Sequence, residues 1–80
     1  MMYVLHIQTD LDFHVEFKGE PIYGQYVSLA ITDFDELDQV RLVGQKTWDV
    51  EEALILIKKD PTSGFNSLGG NRGILWKQLV

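Results

Sequence analysis

The chain has 80 residues, a net charge of −5 at neutral pH and no cysteine. That length holds one domain, residues 1–80. It excludes a deep, water-free catalytic cavity, since a chain this short buries only roughly 60% of the surface its unfolded form exposes. The missing cysteines exclude a disulfide framework and a thiolate metal site, and the missing basic footprint excludes direct binding of nucleic acid.

From Tyr3 to Phe17 every odd position except Thr9 is apolar, and the even positions other than Val4 are polar. This is the period of a strand with one dry and one wet face. It predicts strands over about 3–8 and 12–18, joined as a hairpin. In the natural register Ile7 faces Phe13, Leu5 faces Val15 and Tyr3 faces Phe17, with His6 opposite His14 on the outer face. Gly19-Glu20-Pro21 reads as the stop. Tyr26 to Thr32 is a third strand, and its small, mixed second side predicts a central position covered on both faces.

Asp33 with Glu36 three residues on reads as a capping box opening one helical turn. Gln39 to Val43 reads as a strand closed by Gly44. The segment from Thr47 to Lys59 carries the helix signals. Asp49 or Thr47 can cap it, and Glu51 and Glu52 sit in the first turn, with Lys58 and Lys59 in the last. Val50, Ala53, Leu54 and Ile57 form its apolar stripe. The competing reading is a buried strand over Ala53 to Ile57. Thr62 to Gly73 reads as a Gly-, Ser- and Asn-rich loop, and Ile74 to Val80 as a final strand.

The expected fold is therefore α+β: a mostly antiparallel sheet of four or five strands, with one helix (about 48–59) packed on one face. The alternative is an all-β sandwich or small barrel. Met1-Met2 runs straight into a strand pattern, so no signal peptide is expected. No run is long enough to span a membrane, and a cytoplasmic protein without membrane contact is expected.

Three constellations could carry chemistry. Residues 33–52 hold seven acids (Asp33, Asp35, Glu36, Asp38, Asp49, Glu51 and Glu52) and two bases, so the whole charge excess sits there. As a Ca²⁺ loop the segment fails on spacing, on its missing turn glycine and on its missing distal Glu. It suits a docking patch for a protein partner with a basic surface. Gly69, Gly70, Asn71 and Arg72 could form an anion nest, although the loop fits neither the P-loop nor the dinucleotide fingerprint. His6 and His14, facing each other, would be an incomplete metal site, so no metal and no cofactor are expected. No Ser sits in a nucleophile elbow, and no catalytic residue is expected. The functional expectation is a non-enzymatic protein-binding module. Its sharpest form is a small acidic inhibitor or immunity-type protein that blocks the nucleic-acid-binding surface of a larger enzyme. The alternative is a small-ligand or nucleotide-binding protein using the 67–73 loop.

Overall fold

A computed structural model describes residues 2–46, 50–62 and 73–79. In chain order these form β1 (Tyr3–Gln8), β2 (Phe13–Phe17), β3 (Glu20–Ile22), β4 (Tyr26–Ile31), a 3-10 helix (Phe34–Gln39), β5 (Val40–Gly44), α1 (Val50–Lys59) and β6 (Ile74–Gln78). All strand pairs are antiparallel. The fold is α+β, but the expected single sheet of four or five strands is replaced by two three-stranded sheets, ordered β4-β1-β6 and β3-β2-β5.

The alternation from Tyr3 to Phe17 therefore has a different cause from the one expected. β1 and β2 do not pair: each is the central strand of its own sheet. Tyr3, Leu5 and Ile7 from one sheet and Phe13 and Val15 from the other join a single hydrophobic cluster. Each strand alternates because one face of its sheet is buried, and the turn between Thr9 and Asp12 happens to bring the odd-numbered residues of both to the shared core. The expected pairing of Ile7 with Phe13 is overturned; Ile7 faces Val27 and Ile74, and Phe13 faces Gly44.

The step between sheets is a tight turn. Asp12 N–H donates to the Thr9 carbonyl at 3.1 Å, and φ is +54° at Asp10 and +66° at Leu11. Those two positive angles are the sign pattern of a type I′ turn. Thr9, the one polar residue in the apolar series, is fully buried. Its hydroxyl donates to the Gly24 carbonyl and lies 3.4 Å from the Leu11 N–H, while its own N–H donates to the Gln25 carbonyl at 2.8 Å. The residue that breaks the pattern thus ties the turn to the start of β4.

A second turn of this kind, with φ +54° at Lys18 and +82° at Gly19, joins β2 to β3. The expected stop at Gly19-Glu20-Pro21 is instead a hairpin, and Pro21 lies in a short edge strand, where a missing donor does little harm. β4 also departs from expectation: it is an edge strand, not a central one. Val27, Leu29 and Ile31 are buried, and Tyr26, Ser28 and Ala30 are exposed.

α1 forms where its end charges and apolar stripe predict, which removes the reading of Ala53 to Ile57 as a strand. Val50, Ala53, Leu54 and Ile57 enter the shared core. The helix packs beside β6 and the 3-10 helix rather than across the face of one large sheet. Trp76 completes this corner: it is 2% exposed, stacks on Tyr3 at 4.7 Å and donates its indole N–H to the Pro61 carbonyl at 3.0 Å. Among the described residues no helix is long and apolar enough to cross a membrane.

Candidate functional site

The 3-10 helix displays the first half of the acidic segment. Asp33 caps it, with Oδ1 accepting the Asp35 N–H at 3.0 Å, and Glu36 returns to the Asp33 N–H at 3.0 Å. This is the capping box that the Asp33–Glu36 spacing predicts. Glu36 does more than complete it. Its Oε1 also accepts the N–H and hydroxyl of Thr32 at 2.9 and 3.1 Å, and its Oε2 meets Lys18 Nζ at 2.6 Å. The Lys18 ammonium, then the Thr32 and Asp33 backbone donors, pull the carboxyl down from an ordinary value of 4.5 to about 2. Four donors converge on one carboxylate, so Glu36 is committed to holding the turn.

Asp33, Asp35 and Asp38 remain exposed around it. Asp35 and Asp38 form no ion pair among the described residues. Leu37 anchors the turn from beneath, buried in the core. The result is a capped platform on which Asp33 holds the cap while Asp35 and Asp38 are exposed.

The other acids are elsewhere. α1 runs antiparallel to β5: Lys46, just beyond Gly44, lies 3.8 Å from Glu51, and Lys58, near the helix end, donates to the Val40 carbonyl at 3.2 Å. Glu51 and Glu52 therefore flank the Gly44 end of β5, while the 3-10 helix leads into the Val40 end. A five-residue strand separates them by roughly 13 Å. Between them, Arg41, Lys46 and Lys58 line a groove of about 360 Å³. Adjacency in sequence does not become one continuous patch. Asp49 lies outside the described residues.

Gly69, Gly70, Asn71 and Arg72 also lie outside them. The described end of that loop is Gly73, with φ +81°. A Cβ there would come within 2.8 Å of Gln8 Cβ, so glycine lets the chain join β6 against β1. Beside it, His6, Gln8, Tyr26, Ser28 and Leu75 line an open groove of about 320 Å³ on the outer face of the β1 sheet. The histidines are not brought together as the hairpin register required. His6 Nδ1 lies 2.7 Å from Ser28 Oγ, whereas His14, in the other sheet, packs its ring 4.9 Å from that of Tyr23. Sequence reading missed this His6–Ser28 contact because it depends on β1 pairing with β4, a partner that parity cannot name.

Comparison of the chain with protein-family models, with characterised proteins and with solved structures finds no match.

Proposed function

We propose that this protein is a non-enzymatic binding module that meets a basic surface on a protein partner through the acidic platform at residues 33–38. In its sharpest form it is a small inhibitor or immunity-type protein covering the nucleic-acid-binding surface of a larger enzyme. The observation that supports this reading is the division of labour within the platform. Glu36 spends its carboxylate on internal donors and Asp33 on the cap, which leaves Asp35 and Asp38 exposed and without an ion pair among the described residues. Exposed charges of this kind act through association rate and are screened by salt.

The test is surface plasmon resonance against a partner recovered by pull-down, with Asp33→Asn, Asp35→Asn and Asp38→Asn combined and Glu36 left intact. Asparagine keeps the cap. Association slows by about tenfold or more at low salt, and the difference shrinks at high salt. Equal rates at both salts reduce the platform to a solvated face.

A second reading is supported by the groove beside Gly73: a small-ligand or nucleotide-binding protein using Gly69, Gly70, Asn71 and Arg72. Under it, millimolar nucleotide raises the melting temperature and Arg72→Ala abolishes the shift without unfolding the domain. No shift removes this reading.

A further inference from the structure

A sheet edge exposes unpaired backbone groups, and folded proteins guard such edges. The two sheets present four edges among the described residues, and three are guarded. β3 is three residues long and contains Pro21. β5 has α1 alongside, and its outward carbonyls at Val40 and Gly44 accept Lys58 Nζ and Lys46 Nζ, each at 3.2 Å. β6 carries Lys77 and lies against α1. β4 differs: Tyr-Val-Ser-Leu-Ala-Ile has six residues, no charge and no proline, and among the described residues it pairs only with β1.

The phase of the β1–β4 ladder fixes what this edge offers. Thr9 N–H donates to the Gln25 carbonyl, so the odd-numbered residues of β4 bond to β1. The N–H and C=O groups of Tyr26, Ser28 and Ala30 point the other way. We propose that this edge binds a second copy of the chain, antiparallel, about a two-fold axis at Ser28. The strand is complementary to itself in that register. Each Ser28 exchanges both backbone hydrogen bonds with the second copy's Ser28. Tyr26, 70% exposed in the single chain, lies over the second copy's Ala30, a large residue against a small one. Val27 and Leu29 meet on the core side and extend the buried face. No charged side chain falls within the paired strip, so the −5 carried by each chain puts no like charges opposite one another there. The product is a continuous six-stranded sheet, and the interface is isologous. This inference is independent of the acidic-platform reading.

Sedimentation velocity from micromolar to millimolar protein, with amide hydrogen exchange at both ends of the range, tests it. The mass doubles, and the amides of Tyr26, Ser28 and Ala30 exchange at least tenfold more slowly in the dimer, while those of Val27, Leu29 and Ile31 are protected throughout. Ser28→Lys places like charges face to face on the axis and restores the single chain. Ser28→Ala, which loses the same His6 contact, still dimerises. If circular dichroism shows Ser28→Lys to be misfolded, Ser28→Pro replaces it, since it removes an edge N–H and no ladder bond. A single-chain mass up to millimolar concentration overturns the proposal. So does a dimer in which the three edge amides exchange as fast as in the monomer.

Discussion

Thr9→Val keeps the shape of a fully buried side chain and deletes only its hydroxyl. The loss comprises one hydrogen bond, worth about 1 kcal/mol net, and the cost of leaving its acceptor unpaired. That acceptor is the carbonyl of exposed Gly24, so water partly reaches it and the second cost falls near its lower limit of about 1 kcal/mol. The 3.4 Å approach of the Leu11 N–H adds little. The expected destabilisation is about 2 kcal/mol, against a total of roughly 4 to 12 for a chain of this length. Thr9→Ser keeps the hydroxyl and removes one methyl group, at about 1 kcal/mol. Urea unfolding followed by circular dichroism separates the two: with a slope near 1 kcal/mol/M, the midpoints fall by about 2 M for Val and about 1 M for Ser. If Thr9→Val is as stable as wild type, or more stable than Thr9→Ser, the hydroxyl does not hold the turn between the sheets.

Leu11 is 74% exposed at φ +66°, so Leu11→Gly relieves a left-handed side chain and raises stability by about 0.5 to 1 kcal/mol, read from the same urea curves. Glu36 binds its proton more weakly in the folded chain than in the unfolded one. Its contribution is therefore complete above about pH 4.5 and is lost as pH falls toward 2. The stability gap between wild type and Glu36→Gln accordingly closes over that range, and a constant gap in urea midpoints from pH 6 to pH 2 refutes the carboxylate's role. Trp76→Ala empties the corner shared by Tyr3, Phe34 and Pro61 and costs about 3 to 5 kcal/mol by denaturant unfolding, whereas a loss below about 1 means the corner closes around the gap.

Much of the fold was legible in the sequence because period and end chemistry are local. The alternation of Tyr3 to Phe17 marks two strands and their inward faces. The Asp33–Glu36 spacing marks a cap, and the charges at the ends of α1 mark a helix. Pairing was not legible, because parity records which way a side chain points and not which strand lies beside it. Leu11 gives no turn signal, since a leucine at positive φ is tolerated only through contacts made elsewhere. β4 looked central because its second side, Tyr26, Ser28 and Ala30, is small and mixed and carries no charge. In the acidic segment, proximity along the chain concealed the length of β5 between its two halves. It also concealed the role of Glu36, whose Lys18 partner arrives from the β2–β3 hairpin.

The two sheets span very different stretches of chain. The one built from β3, β2 and β5 draws on residues 13–44 alone. The other sets Tyr3 opposite Gln78, so its ladder closes only when distant stretches of the chain meet. Non-local pairing carries the larger loop-closure entropy and slows folding. The order of assembly follows from this: the 13–44 sheet forms early, and β6 docks last along β1. Until it docks, β1 shows a bare edge at Val4, His6 and Gln8, and the chain is then most open to strand exchange with a neighbour.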